Sequence, residues 1–162
     1  MMILFFHGFN SSAQTNKFVE LQSDKVCETV DYAKMSFAEV DTRYDQLIAQ
    51  HNPDVIVGHS LGGYWALRKG KQHNIPSIIV NPQLFPGTKF ADYAPVNTES
   101  FVGPGHVISY VETGDEVIKV PETLALLEAT DLRVYEGGHH RVERVSFINT
   151  LVADSANYQC IG

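Results

Sequence analysis

Residues 58–63, Gly58-His59-Ser60-Leu61-Gly62-Gly63, constrain this chain more than any other stretch. They follow the apolar run Val55-Ile56-Val57 and lead into a stretch that reads as a helix over 61–73. A serine on so sharp a strand-to-helix turn has its backbone forced into an unfavourable conformation. Side chains beside it would clash with the neighbouring strand and helix, and flanking glycines relieve that crowding. The G-x-S-x-G pattern alone arises by chance in roughly one chain in twenty of this length. The strand before it and the helix after it are what give it weight.

The same alternation of short apolar runs and longer helical stretches fills the chain. Strands are expected at Met2–Phe6, Val30–Met35 (the weakest), Asp54–Val57, Ser77–Val80, His106–Val111 and Leu132–Tyr135. Helices are expected at about 14–23, at 37–51 with Ser36 as cap, at 61–73, at Val120–Ala129 and at about 141–153. Pro53 ends the second helix and Asn74-Ile75-Pro76 the third. Pro82, Pro86, Gly87, Pro95, Gly103, Pro104 and Gly105 leave 82–105 without a period, an irregular, cover-like loop. This order predicts an α/β domain, 1–162, with a mostly parallel central sheet flanked by helices. At 162 residues the chain has the length of one domain and can bury a sizeable core without staples.

The net charge of -7 disfavours nucleic acid or an anionic membrane surface as the main partner. Met1–Phe6 lacks a basic lead-in and is too short for a secretory segment or a membrane span, so a cytoplasmic location is the expectation. Cys27 and Cys160 have no metal-binding spacing and read as reduced thiols.

A serine is a weak nucleophile unless a base takes its proton, and the base needs a third group to orient it. On sheets of this type these groups follow in the order Ser, acid, His. Asp115, in Thr113-Gly114-Asp115-Glu116-Val117, follows one expected strand, and His140, in Gly137-Gly138-His139-His140, follows the next. Both belong to the carboxyl edge, where open parallel sheets hold their ligands. Ser60 is therefore the candidate nucleophile, His140 the base and Asp115 the orienting acid. Glu112 and Glu116 compete with Asp115, and His139 with His140. Gly114 favours Asp115 by letting the loop turn toward the base.

Backbone N–H groups of Leu61, after the serine, and Phe9, in His7-Gly8-Phe9-Asn10, are placed to bind an oxyanion. His7 precedes the first helix and fits a role in holding that loop rather than in catalysis. His59, Tyr64 and Trp65 read as packing. Phe85, Phe90 and Tyr93 either line an acyl pocket or hold their loop down. The adjacent histidines are not completed into a metal set by any cysteine or carboxylate spacing. No G-x-G-x-x-G follows a strand, so a dinucleotide fold is excluded.

His7-Gly8-Phe9-Asn10-Ser11-Ser12, Gly58–Tyr64, Val80-Asn81-Pro82, Thr113–Val117 and Glu136-Gly137-Gly138-His139-His140 together resemble the YqiA/YcfP-like family of small bacterial esterases. The resemblance spans nearly the whole chain and implies a compact, minimal α/β-hydrolase. It implies hydrolysis of a small-molecule carboxylic ester or thioester with no cofactor; short or medium acyl chains fit best because little chain is left for an enclosed tunnel. In that family the paired glycines are followed by Asp or Asn and then the catalytic histidine, which places His140 in the role and His139 at the Asp/Asn position. The chain is also shorter than typical members between Pro82 and His106, implying a reduced cover. Two other functions fit the same residues: an idle scaffold used for binding, and an acyltransferase or peptidase using the same serine.

Overall fold

The computed structural model describes residues 1–97 and 106–159. Among these, Met2–Phe6 (β1), Asp24–Val26 (β2), Val55–His59 (β3), Ser77–Val80 (β4), Val107–Glu112 (β5) and Asp131–Tyr135 (β6) form one sheet in the order β2-β1-β3-β4-β5-β6. Every pairing in it is parallel. The helices are Asn16–Val19 (α1), Phe37–His51 (α2), Leu61–His73 (α3), Val120–Leu127 (α4) and Phe147–Gln159 (α5).

The continuous apolar strands follow from burial on both faces. Leu4, Phe6, Ile56 and Ile79 point to one side, where α2 and α3 contribute Val40, Tyr44, Trp65 and Leu67. Ile3, Phe5, Val57 and Ile78 point to the other, against Ile148, Leu151 and Val152 of α5. α2 and α3 are joined by Lys69, whose fully buried ammonium donates to Asp41 Oδ1 and Asp45 Oδ1, each at 2.7 Å. Two carboxylates on one buried cation satisfy what desolvation would otherwise penalise.

α2 occupies the expected 37–51 because its ends are chemically marked. Ser36 Oγ accepts from Glu39 N and Glu39 Oε1 accepts from Ser36 N, both at 3.1 Å, closing a capping box. Asn52, with φ 44°, ends it in the left-handed region.

Three expectations are corrected. Val30–Met35 is not a strand; the second strand is the short, polar Asp24–Val26 at the sheet edge. Val30 and Tyr32 are buried for another reason, since they bond to His7 (below). The first helix shrinks to Asn16–Val19, because Lys25 Nζ takes the carbonyls of Phe18, Val19 and Leu21 at 2.7–2.9 Å and ends the turn there. The last helix starts at Phe147 rather than 141. Residues 141–146 are drawn out of helical geometry by Val142 at φ 74° and by bonds from Glu143 N and Arg144 N to Glu112.

Of the expected cover-like loop, residues 82–97 are described and hold one 3-10 turn, Pro86–Thr88; residues 98–105 lie outside the described residues. Cys160 lies outside them as well. Cys27 is free, and burial first and the Glu28 carboxylate second push its thiol pKa up to about 12, an unreactive state.

The turn from β3 to α3 admits no side chain at its glycines. A Cβ on Gly58 would lie 2.0 Å from the Gly62 carbonyl oxygen, and one on Gly62 2.0 Å from that of Phe6. Both obstacles are backbone, so Gly58→Ala should cost about 3 kcal/mol or more. Gly87→Ala, where the nearest atom is 3.6 Å away, should stay within about 0.5 kcal/mol. Urea unfolding midpoints of the two variants check this.

Candidate active site

The chain runs from β1 to the edge strand β2 and returns to β3 on the other side of β1, so β1 and β3 flank the point where strand order reverses. Such a point leaves a crevice beyond the strand carboxyl ends. Two loops meet there: His7-Gly8-Phe9 leaving β1, and Ser60 leaving β3.

Ser60 has φ 56° and ψ −120°. This strain is held from both sides. Its N–H donates to Val80 O at 3.1 Å, and its carbonyl accepts from Gly63 N and Gln83 N, both at 2.9 Å. Gly8 lies so near that a Cβ on it would be 3.2 Å from Ser60 Cβ.

The His7 loop is fixed by a buried histidine. Val30 N donates to His7 Nε2 at 2.8 Å, so Nε2 is unprotonated, and Nδ1–H donates to Gly8 O at 2.8 Å. Burial outweighs the Gly8 bond and lowers the His7 pKa, which keeps the ring neutral. Tyr32 Oη donates to the His7 carbonyl at 2.7 Å and is itself bonded to Tyr44 Oη.

On the opposite rim, His140 Nδ1 lies 2.6 Å from Asp115 Oδ2. The Asp115 side chain is fully buried and its Oδ1 accepts from Val117 N at 2.7 Å and Ile118 N at 3.0 Å. Burial pushes its pKa up, but the bonds from His140, Ile118 and Val117 prevail and hold it below the usual aspartate range. An ionised Asp115 fixes the proton on Nδ1 and leaves His140 Nε2 as the ring's basic nitrogen.

The competing acids have other tasks. Glu116 Oε2 accepts from His140 N at 3.2 Å. Glu112, fully buried, accepts from His139 N (3.1 Å), Glu143 N (2.7 Å), Arg144 N (3.0 Å) and Tyr110 Oη (2.8 Å). Burial raises its pKa, and these four donors more than offset that, leaving it lowered. His139 is exposed and enters the site only through its backbone.

Asn81 and His59 complete the support. Asn81 Nδ2 donates to His139 O at 3.0 Å and His140 O at 3.2 Å, while its Oδ1 accepts from Glu112 N at 2.8 Å. His59 Nε2–H donates to His140 O at 2.7 Å. Burial, with Lys17 nearby, drives the His59 pKa down to about 3, so the ring acts as a neutral donor. Sequence reasoning assigned no role to Asn81 and read Glu112 only as a rival to Asp115. The available signal was a carboxylate closing an otherwise apolar strand, a position that demands partners.

Ser60 and His140 stand on the wall between two cavities. One, about 230 Å³, is lined by Phe9, Leu61, Phe85, Phe90 and Val117. Phe85 and Phe90 are thus brought to the site. Tyr93 is not: it is buried against Trp65 and Phe37, where its hydroxyl accepts from Trp65 Nε1 at 3.2 Å. The other cavity, about 620 Å³, is polar, with Asn10, Asn16, Lys17, Glu116 and Arg141 among its lining. Among the described residues there is no group of three or more His, Cys, Asp or Glu placed to hold a metal ion. Among them no helix is long and apolar enough to cross a membrane.

Residues 2–103 match the model of the Uncharacterised protein family (UPF0227). A UPF0227 protein of Pectobacterium carotovorum is 35% identical over 96 residues, 52% of this chain and 52% of that protein. The UPF0227 protein YcfP of Salmonella arizonae is 34% identical over 94 residues, with the same 52% of each. The chain spans about half the length of the curated relatives it matches. In structure it is similar to Est1E from Butyrivibrio proteoclasticus (TM-score 0.75, 14% identity, 99% of this chain and 88% of that one). It is also similar to MGS-MChE2, an alpha/beta hydrolase enzyme from a Moroccan lagoon metagenome (TM-score 0.77, 13% identity, 98% and 91%). These likenesses show the α/β-hydrolase fold.

The depressed Glu112 pKa carries a sign for stability. A carboxyl whose folded pKa lies below its unfolded value, about 4.3 for glutamate, stabilises fully above that value and loses its contribution as pH falls through the folded pKa. The melting temperature should therefore fall on acidification below about pH 4.3, and less steeply in Glu112→Gln. At neutral pH that variant should be less stable by about 2 kcal/mol, from donors left poorly paired. Thermal melts of both proteins across this range check it.

Proposed function

The chain belongs to the UPF0227 family of YcfP-like proteins, and on the site described above we propose that it is a serine hydrolase cleaving carboxylic esters or thioesters of small molecules. One observation carries the reading: a buried, ionised Asp115 lies 2.6 Å from Nδ1 of His140, and that residue lines the same two cavities as Ser60.

Ser60 Oγ attacks the acyl carbonyl carbon while His140 Nε2 takes its proton. Asp115 keeps the imidazole in the reactive tautomer and stabilises the imidazolium. The carbonyl oxygen, now negative, is met by the N–H groups of Phe9 and Leu61. Leu61 is the first residue of α3, so its N–H is not used within the helix. His140 then returns the proton to the leaving oxygen or sulfur as its bond to carbon breaks. Water repeats the sequence on the acyl-enzyme and frees the acid. The cavity of about 230 Å³ between Phe85 and Phe90 suits a short acyl chain.

A fluorophosphonate probe should label Ser60 in the folded protein, as read by peptide mass spectrometry. Ser60→Ala and His140→Ala should abolish labelling, and His139→Ala should retain it. Asp115→Asn should lower kcat on an activated ester on the order of 10⁴-fold by favouring the wrong tautomer. A folded wild type that takes no label refutes the assignment.

A further inference from the structure

We propose that the polar cavity beside Ser60 binds an anionic group, a carboxylate or a phosphate, on the leaving portion of the substrate, and that Lys17 and Arg141 hold it. The proposal rests on the hydrolase reading and adds to it the charge of the substrate.

Among the described residues two lysines are buried, and the fold treats them differently. Lys69, whose role is structural, is paired with Asp41 and Asp45. Lys17 is only 6% exposed, yet its ammonium donates to Asn16 Oδ1 at 3.2 Å, and among the described residues no carboxylate forms an ion pair with it. An ammonium has three donors and is costly to bury without a counter-charge. The cavity also brings a second cation toward Lys17. Arg141, exposed on the same wall, makes no ion pair among the described residues. Burial first and Arg141 second depress the Lys17 pKa, with Glu112 acting in the opposite direction.

The nearby carboxylates leave the Lys17 ammonium without a hydrogen-bonded acid among the described residues. Glu112 already accepts from four donors, and Glu116 Oε2 takes the His140 N–H. Among the charged side chains lining the cavity, Lys17 and Arg141 are two cations against one carboxylate, Glu116, while the ionised Asp115 and Glu112 lie outside the lining. Two cations lining one concavity draw an anionic group to their side of it. It lies within reach of the reaction, because Ser60 and His140 line this cavity as well as the aromatic one. With the acyl chain between Phe85 and Phe90, the leaving portion extends past His140 toward Lys17 and Arg141. An anion there relieves the repulsion between the two cations and takes charge-assisted bonds from both.

The test compares butyrate esters of 4-hydroxybenzoate, of 4-(phosphonomethyl)phenol and of the neutral 4-hydroxybenzamide. The readout is the ratio of kcat/KM for each anionic ester to that for the neutral one. This ratio should fall about tenfold in Arg141→Gln and in Lys17→Met and be largely kept in Arg141→Lys. It should also fall with rising ionic strength, more than the neutral rate does. Whichever anionic ester is favoured tells carboxylate from phosphate. Should Lys17→Met not fold, the exposed Arg141 pair and the salt dependence decide. Neutral and anionic esters hydrolysed with a ratio indifferent to salt and to both variants overturn the anion site while leaving the hydrolase standing. Hydrolysis of none of the esters, with no labelling of Ser60, overturns the hydrolase reading and this proposal with it.

Discussion

The contact on which the molecule depends is between backbones: α3 begins so close to the end of β1 that the Phe6 carbonyl oxygen occupies the place of a Gly62 side chain. The approach fixes three things together. It sets the distance between β1 and β3 across the point where the strand order reverses, and it tips α3 onto the sheet. It also forces Ser60, between strand and helix, to φ 56°. A residue in that region resists its own conformation and persists only when its surroundings over-determine it. Here Val80, Gln83 and Gly63 each bond to the Ser60 backbone. The strain is thus balanced by the first-turn bond of α3 and by two bonds to β4, which runs parallel to β3 alongside it, and to the segment that follows β4.

The second half of the site is held by polar groups where the first half is held by sterics. The loop carrying His140 has no regular structure between Glu136 and Ser146, so its backbone donors and acceptors have to be met individually. Glu112 takes three of its N–H groups, Asn81 two of its carbonyls, and His59 one of those two again. Asn81 also accepts from Glu112 N, so the network closes on itself. In low dielectric such a network is stiff when complete and costly when one member is lost. That suits a loop that has to hold the proposed base, His140, in a fixed place.

What was legible in the sequence divides along the same line. The elbow, the parallel sheet and the bounds of α2 and α3 could be read because local chemistry marks them: glycine where no side chain fits, apolar runs where both faces are covered, Ser36 at a helix start, Pro53 and Asn74-Ile75-Pro76 past helix ends. The order of Ser60, Asp115 and His140 pointed to residues that the fold gathers at one sheet edge. What could not be read depends on partners far along the chain. Lys25 cuts α1 short from outside it, His7 draws Val30 and Tyr32 inward without a strand, and Glu112 uncoils 141–146 from across the sheet edge. Tyr93 shows the same limit: an aromatic in an irregular loop carries no mark telling pocket from core, and Trp65 decides the matter.

Histidine shows how environment, more than residue type, divides the labour here. Three imidazoles converge on the crevice, and two are kept neutral by burial in the same way but for different purposes. His7 accepts with one nitrogen and donates with the other, joining the β1 loop to the segment after β2. His59 donates to the backbone of the loop that carries His140. Neither meets a carboxylate, because each bond they make is to the main chain and fixes the tautomer without offsetting a positive charge. His140 differs by one contact: its Nδ1 meets a carboxylate instead of a carbonyl. A carbonyl partner positions a ring, whereas a carboxylate also stabilises the positive charge that the ring acquires when it takes a proton. That difference, set by Asp115 being buried and itself held by two N–H groups, is what makes one histidine of the three fit to act as a base.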